Sequence, residues 1–218
     1  MDNLFFRMRD DFDRMIQANI PGQNHDCSII PDYGNGQDAI HGYSAETRCV
    51  LYAKNAGMKP VLRTSLKDEI YRGNLLYVEG RFYLIADDVQ EAPNCFMTHA
   101  TPCLHFVKVS RKVNPQTDKF GFAVEDTGDR LHPLIDNFPA VLTFSGTMAD
   151  AKNQAGAYFA DMIEVKLQGN HWTDEIKTGD ILTLEGNPGE YEIVSWIRDS
   201  LTAKQKGGVL TIQARRKP

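Results

Sequence analysis

The chain contains the same thirteen-residue pattern twice. Residues 68–80 read DEIYRGNLLYVEG and residues 174–186 read DEIKTGDILTLEG. Asp, Glu, Ile, Gly, Leu, Glu and Gly coincide at a constant offset, and Asn74/Asp180, Leu75/Ile181 and Val78/Leu184 are conservative pairs. Self-similarity of this kind means that one supersecondary unit is built twice. A Gly-Asn turn (73–74) or a Gly-Asp turn (179–180) launches a strand with apolar alternation. Glu-Gly at 79–80, and Glu-Gly-Asn-Pro-Gly at 185–189, then turn the chain back, with Gly supplying a positive φ. The returning strands, FYLI and EYEIV, carry Tyr83 with Ile85 and Tyr191 with Ile193; the second copy has two extra residues before them. Each copy is read as finishing in a β-rich tail with a basic end, LHFVKVSRK at 104–112 and VLTIQARRK at 209–217.

Further short strands are predicted at Thr47–Ala53, Pro60–Ser65, Ala140–Phe144 and Met162–Leu167. Gly, Asn and Pro turns separate them, which indicates small antiparallel barrels or sandwiches. MADAKNQAGAYFADM (148–162) suits a short helix. Residues 20–45 read as loop, with one short strand around Ser28–Ile30. The fold expected is mainly β: two tandem small antiparallel β-barrels with an N-terminal amphipathic α-helix. The divisions are helix and loop (1–45), barrel one (46–112), a polar linker (113–137) and barrel two (138–218). Phe120 and Phe122 suggest that the linker packs against something.

The helix is read from DNLFFRMRDDFDRMIQANIPG. Leu4, Phe5, Met8, Phe12, Met15 and Ile16 share one face at a 3.6 period. Asp2 or Asn3 caps it and Pro21-Gly22 ends it. Its apolar stripe packs either on its own domain or on a neighbouring subunit. The loop DSLTAKQKGG (199–208), with Lys204 and Lys206, is a second candidate contact, since long loops on rigid scaffolds carry contacts.

Catalytic signatures are missing. There is no GxSxG, HExxH, Walker or dinucleotide fingerprint. GNGQ at 34–37 lacks the Lys-Ser/Thr ending of a phosphate loop. Asp10-Asp11, Asp87-Asp88 and Glu125-Asp126 sit in turns or on a polar face, where acids are solvated. His25-Asp26-Cys27 are sequence neighbours, whereas catalytic trios come from distant segments. Arg72, Tyr77, Arg81 and Phe82 would suit a single-strand-binding face, but Lys177, Thr183 and Glu190 break that pattern in the second copy. The net charge of −5 opposes sequence-independent DNA binding. The first 112 residues hold 13 Lys+Arg against 14 Asp+Glu and the rest hold 11 against 15, so neither half is a basic module. No apolar run reaches membrane-spanning length and no secretory leader is read at the N-terminus. Four cysteines in such a chain are expected as free thiols.

NCFMTHATPCLHF (94–106) places Cys95, His99, Cys103 and His105 close together. The counterpart stretch of the second copy, SLTAKQKGGVLTI, has neither Cys nor His. Structural zinc sites also favour C-x2–4-C knuckles, and these cysteines lie eight apart. The expectation is a hairpin loop and closing strand, with no metal or cofactor; the alternatives are an oligonucleotide-binding barrel or a metal-dependent enzyme with its site at 95–105.

The helix followed by small barrels, with TGDILTLEGNPGEYEIV and a closing VLTIQARR, resembles the head–tail connector and tail-completion proteins of tailed bacteriophages. Head-closure members of that group carry a "Gly-Asp-x-Leu … Tyr-x-Ile" hairpin. The resemblance covers about 40 residues of each copy, and a single barrel is the common arrangement in that group. It implies a non-enzymatic virion protein, assembled in the host cytoplasm, that forms a ring at the neck or tail end. A baseplate or tail-tube-associated protein of the same particle is the neighbouring alternative. The implied partners are copies of itself and adjoining virion proteins, with DNA only as cargo and no membrane.

Overall fold

The computed structural model describes residues 14, 25–34, 45–52, 58–113, 130–144, 162–199 and 208–217. The predicted N-terminal helix, the helix considered at 148–162, Phe120 and Phe122 lie outside these residues. Among the described residues fourteen strands occur: β1 (His25–Ile30), β2 (Ala45–Tyr52), β3 (Val61–Thr64), β4 (Leu75–Val78), β5 (Arg81–Leu84), β6 (Gln90–Glu91), β7 (Phe96–His99), β8 (Thr101–Pro102), β9 (His105–Val113), β10 (Arg130–Phe144), β11 (Met162–Gln168), β12 (Ile181–Leu184), β13 (Asn187–Arg198) and β14 (Val209–Arg216). Among the described residues the protein is mainly β, in two sheets. The first runs β6-β7-β3-β2-β1-β4-β5-β8, and the second closes as β10-β11-β14-β13-β12-β9.

The repeated sequence produces a repeated local structure. Gly73 (φ +94°) and Gly179 (φ +91°) both adopt the backbone that L-residues avoid. Gly73 N donates to Ile85 O at 2.8 Å, and Gly179 N donates to Ile193 O at 2.8 Å. The buried Asn74 and Asp180 side chains each accept from the backbone N–H three residues earlier, on Tyr71 at 2.5 Å and Lys177 at 2.7 Å. The hairpin tips differ. Glu79 and Gly80 both have positive φ and join β4 to β5 in a two-residue turn, as type I′ geometry requires. In the second copy Thr183 pairs with Glu190 but Leu184 with Asn187, so Pro188 and Gly189 are the extra pair, absorbed as a bulge.

The repeat extends to strand order. β1 lies between β2 and β4, as β9 lies between β10 and β12. β4 pairs with β5 as β12 pairs with β13, and β2 with β3 as β10 with β11. β14 closes the second sheet by pairing with β11 on one side and β13 on the other. In the first sheet β7 pairs with β3 and β8 with β5, and Ala100 alone separates those two strands.

This topology moves two expected boundaries. Residues 104–112 are not the closing strand of the first sheet. β9 opens the second sheet, with Val107 and Val109 buried in its core. The likeness of LHFVKVSRK to VLTIQARRK reflects two strands with an alternating apolar face and basic ends; alternation reports burial and not the partner strand. The linker expected over 113–137 ends early: residues 130–137 belong to β10, where Leu134 and Ile135 are buried. Pro133 and Asn137 (φ +52°) read as breakers, but register shifts flank Ile135 and accommodate them.

The two sheets share a core. β4 and β5 are apolar at nearly every position because both faces are covered. Leu76, Val78 and Ile85 face one cluster with Cys27, Ile29, Cys49 and Leu62. Leu75, Phe82 and Leu84 join Ile30 and Tyr33 in a second cluster, shared with the interior of the closed barrel. Tyr33 packs edge-on against Phe82 and Phe138, with ring centroids 5.6 and 5.1 Å away. Beside them the fully buried Gln168 donates from Nε2 to Ile30 O and Gly73 O, both at 2.9 Å, and accepts from Tyr33 N at 2.6 Å. Arg72 Nη2 meets Asp199 Oδ2 at 2.6 Å across the same boundary.

Two tests follow from the paired turns. A Cβ on Gly73 would collide with the Gly208 backbone, whereas one on Gly179 meets nothing within 4 Å. Both substitutions to Ala incur the same positive-φ strain, so Gly73→Ala should cost about 1–3 kcal/mol more than Gly179→Ala in urea unfolding. The second test uses the charge that distinguishes the copies. Arg111 Nε and Nη2 hold Asp180 at 2.8 and 2.9 Å, and Asn74 needs no such partner. Arg111→Ala should cost about 2 kcal/mol or more, discounted for the partial exposure of Arg111, and adding Asp180→Asn should recover most of it.

Candidate functional site

The stretch 94–106 folds into three different environments. Cys95 is buried against Val50 and Ala92. His99, at the end of β7, is exposed and sits 3.7 Å from Asp87. Cys103 packs against the shared core just before β9 begins at His105. Among the described residues no three His, Cys, Asp or Glu side chains converge as metal ligands would. Cys27 lies beside Cys49 in the first core. All four cysteines are free thiols, as the composition led us to expect.

The surroundings of Cys27, Cys95 and Cys103 suppress thiolate formation. A side-chain hydrogen bond with Cys49, then burial, pushes the Cys27 thiol far up. Burial pushes the Cys103 thiol up to about 12 and raises that of Cys95, against the pull of nearby Arg63. His25, Asp26 and Cys27 do not form a catalytic trio: Asp26 pairs with Arg48 at 3.1 Å, His25 with Glu79 at 2.8 Å, and Cys27 faces the core.

A cleft of about 880 Å³ opens on the outer side of β2, β3 and β7. Val61, Met58 and Met97 give it an apolar floor. Its rim is charged. Lys59 Nζ lies 3.5 Å from Asp87, and Arg72 Nη1 lies 3.4 Å from Asp88. Arg63 points from β3 between Val50 of β2 and Met97 of β7, with its guanidinium carbon 5.5 Å from the Tyr52 ring centroid. The cleft was not foreseen from the sequence, because it draws on segments from Tyr52 to His99 whose adjacency is a product of strand order.

The residues singled out as subunit contacts, Leu4, Phe5, Met8, Phe12, Met15, Ile16, Lys204 and Lys206, lie outside the described residues. Large apolar side chains are exposed at Trp196 (44%) and Ile197 (66%) on β13, just before the loop that contains Lys204 and Lys206. No helix among the described residues is long and apolar enough to cross a membrane. No family model, curated protein or solved structure matches the chain.

Raised thiol pKa values carry a direct expectation. The native protein should react with a thiol-specific disulfide reagent at pH 8 far more slowly than the urea-unfolded chain, and elemental analysis of the same sample should show no stoichiometric zinc. Stability should also fall as pH climbs past about 8.5, because the unfolded chain loses its thiol protons there while the native chain keeps them. Fast native labelling of all four thiols, or one zinc lost on Cys95→Ser, would contradict this description.

Proposed function

We propose that the chain is a tandem pair of small antiparallel β-barrels, preceded by an amphipathic helix over 1–21, that serves as a non-enzymatic structural protein of a tailed phage or prophage. In this reading it assembles in the host cytoplasm into a ring at the head–tail neck or tail end. The observation that carries the proposal is the doubled hairpin. The same turn, the same glycine-to-isoleucine hydrogen bond and the same surrounding strand order occur twice, and the second copy has the Gly-Asp-x-Leu … Tyr-x-Ile form that resembles head-closure barrels, with Asn74 in place of the Asp in the first.

Other features suit such a role. A shared core and a buried amide join the two units, so the subunit can transmit load without hinging. The acidic balance of the chain favours a lumen that DNA traverses without sticking. The partners are copies of itself and adjoining virion proteins. Contacts would come from the helix stripe Leu4, Phe5, Met8, Phe12, Met15 and Ile16, from Lys204 and Lys206, and from the exposed Trp196 and Ile197. Subunits of this kind assemble by surface complementarity and closed symmetry.

Light scattering on the full chain, followed by negative-stain microscopy, tests the reading. The expected result is a closed ring whose mass is an integral multiple of the subunit, weakened by Phe5→Glu together with Phe12→Glu. A wild-type chain that stays monomeric at every concentration tried would remove ring formation from the proposal.

A further inference from the structure

Every cation on the rim of the 880 Å³ cleft has an acid except one. Lys59 and His99 share Asp87, and Arg72 is held between Asp88 and Asp199. Arg63 has no carboxylate partner among the described residues. It is half-buried, its Nε is shut off from solvent without a hydrogen-bond partner, and its guanidinium lies over Tyr52. A half-buried, unneutralised guanidinium is costly to keep, since buried charges are ordinarily paired. Stacking on an aromatic face orients the guanidinium plane and leaves its edge, the fork that grips carboxylates, available to a ligand. Counting Lys and Arg against Asp, the lining carries three positive side chains to two negative, although the whole chain is acidic.

We infer that this cleft binds a peptide segment of a partner protein that presents a carboxylate beside an aliphatic side chain. The carboxylate pairs with Arg63 over Tyr52, and the aliphatic group lies on Val61, Met58 and Met97. The floor gives a reason for a peptide over a free anion: an anion alone leaves the apolar lining wet, whereas Glu next to Leu fills both halves of the cleft. This inference stands on the cleft alone and does not depend on the ring.

The test is a backbone-amide NMR titration of the full chain with millimolar acetyl-Leu-Glu-Leu-amide. Expected are shifts concentrated at Tyr52, Arg63, Met97 and His99. Binding should weaken about tenfold or more with acetyl-Leu-Gln-Leu-amide, and by a similar factor in Arg63→Met, which keeps an apolar stem without the charge. Should Arg63→Met lose its dispersed spectrum, Arg63→Lys supplies the same comparison, since it keeps the charge but not the fork. Equal binding of the Gln peptide, undiminished binding in the Arg63 variant, or shifts located elsewhere would overturn the inference. N-acetylglutamate binding as tightly as the tripeptide would overturn the peptide assignment.

Discussion

A single buried amide sets the relation between the two halves of this molecule. Gln168, at the end of β11, uses both of its amide protons and one face of its carbonyl oxygen on backbone groups of the other sheet. Those groups belong to the end of β1, the segment after it and the first repeated turn. Each would otherwise be a buried, unpaired polar group worth about 1–3 kcal/mol of lost stability. The amide therefore permits the apolar face of β4 and β5 to lie against the barrel without stranding the backbone beside it. Asn170 continues the pattern by donating to Tyr33 O at 2.8 Å. Hydrophobic contact supplies the attraction between the sheets, and these polar contacts fix their register.

The two repeated turns show how one local structure is adapted to two surroundings. Asn74 and Asp180 do the same backbone work, but the first is neutral and faces the other sheet, while the second is charged and gripped by Arg111. The hairpin faces diverge in the same sense. Tyr77 and Phe82 lie in the shared interior, whereas their counterparts Thr183 and Glu190 face outward. A terminal unit of a repeated structure needs a polar outer face, and the substitutions follow that rule.

Local rules were legible in the sequence and long-range pairing was not. Glycine at a positive-φ position, a two-residue turn and a period of two act over a few residues, so the hairpins at 68–85 and 174–193 could be read directly. The assignment of β9 failed because an amphipathic strand looks alike whichever sheet receives it. LLYV reads as a strand with apolar alternation, whereas the structure covers both faces of β4. The first half of β10 was hidden by Pro133 and Asn137, whose bulges only the pairing reveals. Arg63 was not legible as a candidate site, since its significance lies in the carboxylate that its neighbours do not supply.

The chain passes from one sheet to the other through two residues, Cys103 and Leu104, between the end of β8 and the start of β9. Cys103 N donates to Phe82 O at 2.8 Å, so the crossing is itself tied to the first sheet. A connection this short gives the two sheets no independent reach: strands that are neighbours in sequence lie on either side of the core they share.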